Sequence, residues 1–181
     1  IQIIREEINR SDQIITDLMG YAKLAEGTLE RLAINEELDR ALDQVFPKGT
    51  QFGIDIVKEY AQGLPHLMMQ RNHLAEILVN LLSNARDILG DRGQIALRSR
   101  FSADYAVIAE IADNGPGIDP EFLSQIWVPY FTTKRKGTGL GLSIVKHNVE
   151  VYGGTIEVYS EPGRGTCFTI QIPARSFLRM S

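Results

Sequence analysis

Two glycine-rich stretches in a fixed order constrain this chain more than any other feature. Asp113-Asn114-Gly115-Pro116-Gly117 sets a carboxylate among residues with little bulk. After an interval, Gly137-Thr138-Gly139-Leu140-Gly141-Leu142 repeats glycine at every second position ahead of a helical pattern. A carboxylate in the first stretch can accept a hydrogen bond from a ligand while the bare backbone lets that ligand approach closely. Glycines leading into a helix bring unpaired N–H groups and the positive end of the helix dipole up to an anion. A lone glycine cluster is usually only a loop. Two of them, with the asparagine-rich run Asn80-Leu81-Leu82-Ser83-Asn84 upstream, read as a nucleotide site.

At 181 residues the chain can bury one good-sized core and carry a small appendage. A formal charge of −4 argues against a surface that grips nucleic acid through its phosphates, so nucleic acid is not an expected partner. The single cysteine, Cys167, excludes an internal disulfide and lies in the alternating segment Thr166 to Ile172, where a small strand residue suffices. No apolar run reaches the ~18 to 20 residues that span a bilayer, and no signal-peptide pattern opens the chain. The expected setting is cytoplasmic, without membrane contact by this piece. The first residue is Ile rather than Met, which suggests a fragment of a longer protein whose full-length form has room for a membrane anchor.

From Ile1 to about Ala25, apolar residues follow a heptad seam broken only at Ser11, a pattern that suits helix-bundle or dimer packing. Asn35 is placed to cap a second helix running to about Val45, ended by Pro47 and Gly49. Phe52 to Tyr60 and Pro65 to Met69 read as strands, and a long helix follows from Asn72 to Leu89, stopped by Gly90. Further strands are expected at Gln94 to Ser99 and Ala106 to Ala112, then a helix from Leu142 to Tyr152. A hairpin of Thr155 to Ser160 and Thr166 to Ile172 turns at Glu161-Pro162-Gly163-Arg164-Gly165. These elements fit a two-layer α/β sandwich preceded by an N-terminal helix, with a division into residues 1–27 and 28–181.

On the long helix, positions 74, 77, 78, 81, 82, 85, 88 and 89 are apolar and bury one broad face. Asn80, Asn84 and Asp87 stand at i, i+4 and i+7 on the other, a polar column whose oxygens can meet a hard cation and whose amide hydrogens can meet phosphate. An ordinary solvated face would hold Lys, Glu and Gln; asparagines are poor helix formers and need another reason. Asp113 closes a strand, where it can reach the exocyclic amine of a base. Between Ile118 and Lys136 lie Trp127, Tyr130, Phe131, Thr132, Thr133 and the basic trio Lys134-Arg135-Lys136, which can clamp a triphosphate or form a partly buried loop with a solvated charge run.

The order Asn80 to Asp87, Asp113 to Gly117, Phe131-Thr132-Thr133, Gly137 to Leu142 and Gly163-Arg164-Gly165-Thr166 resembles the N, G1, F, G2 and G3 boxes of sensor histidine kinases of bacterial two-component systems. The resemblance covers nearly the whole chain and implies the Bergerat ATP-binding sandwich, with ATP and Mg2+ as ligands. By it, Asn80 and Asn84 hold magnesium and phosphates, and Asp113 binds the adenine amine. Gly115, Gly117 and Ile118 shape the adenine pocket with support from Thr166. Phe131, Lys134 and the stretch Gly137, Thr138, Gly139, Leu140, Gly141 and Leu142 close over the phosphates as a lid. It also implies a response-regulator receiver domain as partner and a homodimer formed through the N-terminal helix, which resembles the second helix of the family's phosphotransfer hairpin.

Two departures qualify the match. Many members carry Lys three residues after the second Asn, where Asp87 stands here, as in the subgroup resembling nitrogen-regulatory kinases. The phosphate-binding cation then falls to Arg86 or to Lys134, Arg135 and Lys136. None of His66, His73 and His147 has the sequence context of the family's phosphoacceptor, so each is expected to be a surface or packing residue. Other functions of the superfamily remain open at this stage: a gyrase- or chaperone-like ATP-driven machine, a serine kinase, or a pure nucleotide-binding module. Asn80, an amide that cannot act as a general base, disfavours hydrolysis as the main task.

Overall fold

The computed structural model describes residues 27–48, 53–134 and 137–174. The heptad segment, as well as Arg135 and Lys136, lies outside the described residues.

A short strand β1 (Glu30–Leu32), which the sequence pattern does not announce, leads into α1 (Ile34–Val45). The helix buries Ile34, Leu38, Ala41, Leu42 and Val45, one apolar stripe at helical spacing. Asn35 does not cap it. The N-cap is Ala33, without a side-chain cap, and the Asn35 side chain instead donates to Ala61 O at 2.9 Å and accepts from Ser99 Oγ at 2.6 Å. Ser99 is buried and needs an acceptor, so satisfying the sheet takes precedence over capping. The buried Glu37 receives Arg40 at 2.6 Å and Arg71, and Arg71 also reaches Glu30 at 2.8 Å. This network joins β1, α1 and the next helix.

Strand β2 (Ile54–Tyr60) and the short β3 (Leu67–Met69) precede α2 (Arg71–Leu89), which Gly90 ends at a φ of 69°. Then come β4 (Gly93–Phe101), β5 (Ala106–Asp113), α3 (Gly141–Val151), β6 (Thr155–Glu161) and β7 (Gly165–Pro173). The main sheet runs β2-β4-β5-β7-β6, parallel only between β2 and β4, while β1 and β3 form a separate antiparallel pair. The three helices cover one face, completing the expected two layers; Leu74, Ile77, Leu78, Leu81 and Leu82 of α2 meet Ile95, Leu97, Ile111 and Ile170 of the sheet in one core.

Register carries this apolar face directly into the polar region. Val107, Ala109 and Ile111 alternate inward along β5, so the same two-residue period sends Asp113 to the helix side at the strand's end. Asp113 pairs with Thr166 of β7, and Thr166 with Ser160 of β6, so one row of polar side chains ends the sheet. A one-residue slip would place all three on the solvent face.

Candidate functional site

A cavity of about 870 Å³ opens between the polar face of α2, the N-terminus of α3, the end of the sheet and residues 117–134 and 137–139. Its size suits a nucleotide-sized ligand. At the sheet end, Asp113 Oδ1 accepts from Gly115 N at 2.9 Å, and the carboxylate also receives the Thr166 backbone N–H. Burial nevertheless pushes the Asp113 carboxyl above its ordinary value, outweighing those two donors. Beside it, the Thr166 hydroxyl lies 2.9 Å from Ser160 Oγ, which accepts from Ile118 N at 2.7 Å. Ile118, Ile88, Ile126 and Phe168 supply apolar walls, so the site offers a flat ligand one carboxylate edge within an otherwise greasy slot.

Gly117 lines this end at a φ of 76°, and a side chain there would strike the Glu161 carbonyl under the β6–β7 turn. The turn is fastened from the other side by Gly163 N donating to Pro116 O at 2.8 Å. Gly115 does not line the cavity; it supplies the donor to Asp113, and a Cβ would sit 2.8 Å from that carboxylate.

At the far end, Asn80, Asn84 and Asp87 all line the cavity, as their spacing requires. Asn80 Nδ2 donates back to Glu76 O at 2.8 Å, which commits the amide nitrogen and turns Oδ1 toward the start of α3. A Cβ on Gly141 would stand 2.8 Å from that oxygen. The α3 N-terminus thus lies against the asparagine column, with no side-chain cap on its free N–H groups. Gly137, Thr138, Gly139 and Leu142 continue the wall. Leu140 does not line it: its side chain is buried, and its carbonyl accepts from Ser143 Oγ at 2.8 Å.

The charged candidates separate cleanly. Lys134 Nζ lies 2.9 Å from Asn84 Oδ1 and 2.9 Å from Asp87 Oδ2, inside the site. Arg86 does not line the cavity: its Nη1 donates to Val45 O at 3.0 Å, closing the C-terminus of α1, and its Nη2 lies 3.4 Å from Asp87 Oδ1. Of the loop aromatics Phe122 and Phe131 line the cavity, packed on each other at 5.7 Å; Trp127 stacks edge-on against Phe168, and Tyr130 is exposed. His73 is a packing residue, buried with Nδ1 2.7 Å from Tyr152 OH, and His66 lies on the surface.

Sequence reasoning missed Glu76 and Asn148, which extend the polar wall one turn beyond Asn80 and bond each other at 2.9 Å. Glu76 stands four residues before Asn80, so helical spacing held that signal; Asn148 comes from a different helix and carried none. Among the described residues no group of three or more His, Cys, Asp or Glu side chains gathers to hold a metal. The outward Asn80 oxygen and the Asn84 oxygen instead fit a magnesium ion that arrives on phosphates and takes a few protein oxygens, the usual way this cation is bound beside a nucleotide.

Residues 69–176 match the family model described as histidine kinase-, DNA gyrase B-, and HSP90-like ATPase. The sensor histidine kinase ZraS of Salmonella typhimurium is 33% identical over 172 residues, covering 95% of this chain and 37% of that protein. Full-length ShkA in complex with AMPPNP superposes with a TM-score of 0.80 at 27% identity, covering 95% of this chain and 37% of that one. Histidine kinase ThkA in complex with response regulator protein TrrA also gives a TM-score of 0.80 at 27% identity, over 99% of this chain and 52% of that one. The chain thus spans little more than a third of the length of its curated relative.

Proposed function

The chain belongs to the histidine kinase-, DNA gyrase B-, and HSP90-like ATPase family, and we propose that it is the ATP-binding catalytic part of a sensor histidine kinase. In this reading it moves the γ-phosphoryl group of MgATP to a histidine outside the chain, for onward transfer to a response-regulator aspartate. One observation carries it: a single cavity sets the Asp113 carboxylate at one end and the asparagine column against a helix N-terminus at the other. Those ends match an adenine amine and a phosphate chain. The similarity to ZraS, to ShkA with AMPPNP and to ThkA with TrrA supports it.

Asp113 accepts the adenine amine while Ile118, Ile88 and Phe168 flank the base, and Gly117 keeps the floor thin. The N–H groups opening α3 take phosphate oxygens. Asn80 and Asn84 would hold magnesium, whose contribution when bound is to neutralise phosphate charge. The acceptor imidazole nitrogen attacks the γ-phosphorus, the bond to the bridging oxygen breaks, and ADP leaves with the electron pair. Lys134 and the α3 N–H groups offset the charge that develops. A homodimer through the N-terminal helix and a cytoplasmic position belong to the same reading; no helix among the described residues is long and apolar enough to cross a membrane.

Mixing the chain and MgATP with a separately made helical hairpin bearing the acceptor histidine tests the transfer. Acid-labile phosphate on that hairpin, with slow phosphate release by the chain alone, is expected. Rapid, sustained release that ignores the hairpin would replace the kinase with a hydrolytic machine.

A further inference from the structure

Lys134 holds the one ammonium that reaches the asparagine column among the described residues, and it is held by two acceptors from a single helix face, Asn84 and Asp87 at i and i+3. The same Asn84 oxygen is the one that the proposed function assigns to the nucleotide's metal. A neutral amide oxygen does not serve two cations at close range, because their mutual repulsion exceeds what one carbonyl dipole returns. Lys134 and a metal-bearing triphosphate therefore exclude each other at Asn84. The other Asp87 oxygen has its own cation, Arg86 Nη2 at 3.4 Å, so the carboxylate stays partly neutralised when the lysine leaves.

We propose that Asp87 is a positioning residue that sets nucleotide selection through Lys134: it holds the lysine on Asn84 until a metal-bound triphosphate displaces it, and the freed ammonium then binds the phosphates. This rests on the kinase reading of the cavity. It gives Asp87 a role opposite to that of a metal ligand, since the acid works against nucleotide binding. The side chains of Asp87 and Lys134 are 44% and 34% exposed, so their attraction is screened and its effect small but measurable.

Calorimetric titration with MgATP, metal-free ATP and adenosine tests this on the whole chain. Asp87→Asn is expected to tighten MgATP binding about twofold to fivefold, the range of an exposed ion pair. Adenosine affinity and thermal stability should not change, and Asp87→Glu should restore parental values. Lys134→Met should weaken ATP, and adding Asp87→Asn to it should change nothing further, because the acid acts only through the lysine. Weaker MgATP binding in Asp87→Asn, with metal-free ATP unaffected, would make Asp87 a metal ligand and overturn the proposal; unchanged affinity would overturn it too. Failure of the underlying reading looks different: the parent chain would bind no MgATP, or Asp113→Asn would bind it as well as the parent.

Discussion

Asp113 shows how one residue can be poorly suited to the fold and, in the proposed function, well suited to the ligand. It occupies the last inward position of a strand whose other inward residues are apolar, and burial raises its proton affinity. The folded chain therefore binds that proton more tightly than the unfolded chain does. Stability accordingly rises as pH falls through the interval just above the ordinary carboxylate range, and the ionised form costs stability at neutral pH. Asp113→Asn should melt no lower than the parent at neutral pH, with any advantage shrinking toward about pH 4, as scanning calorimetry would record. The same substitution turns part of an acceptor edge into a donor, so adenine-nucleotide affinity should fall about tenfold to hundredfold, on the order of 1–3 kcal/mol. Unchanged affinity would remove Asp113 from the site.

Helix α2 divides its work by face. Its apolar side is fully buried through Leu74, Ile77, Leu78, Leu81 and Leu82, and that packing tolerates two poor helix formers on the other side. The last turn departs from the expected burial: Ile88 is 45% exposed and lines the cavity instead of the core. Where α2 meets α3, Gly141 leaves room for the Asn80 amide oxygen. Alanine there suits a helix better than glycine by about 0.5–1 kcal/mol, and its Cβ would meet only the tip of a flexible side chain. Gly141→Ala should thus keep or slightly raise the melting temperature while lowering ATP affinity about tenfold by displacing the Asn80 oxygen. A fall in stability with affinity intact would mean that the approach matters to packing alone.

Across the whole molecule, the stretch from Ile118 to the start of α3 is secured unevenly. Ile126 is buried in the core, Trp127 packs on Phe168 and Phe122 on Phe131, whereas Tyr130 is exposed and Lys134 reaches across the cavity. The anchored half should exchange amide hydrogen slowly at all times. In the proposed function, the described residues from Thr132 onward should gain protection when a non-hydrolysable ATP analogue binds, because Lys134 and the backbone ahead of α3 then meet the phosphates. Hydrogen exchange that is the same with and without the analogue would make the whole stretch a static wall.

What the sequence determined by itself was whatever leaves a local record. Alternating side-chain character marked β7, helical spacing marked α2 and set Asn80, Asn84 and Asp87 on one face, and the glycines marked where the backbone must turn sharply or approach closely. Those records were enough to assemble most of the cavity wall. Tertiary structure alone decided which polar groups meet: Asn35 with Ser99 rather than with its own helix end, Arg86 with the end of α1, Asn148 with Glu76, Lys134 with Asn84 and Asp87, and β1 with β3. Each of those side chains had many chemically equivalent partners in the sequence. The choice among them follows from the strand order and from how the helices lie across the sheet, and no local pattern of residues encodes either.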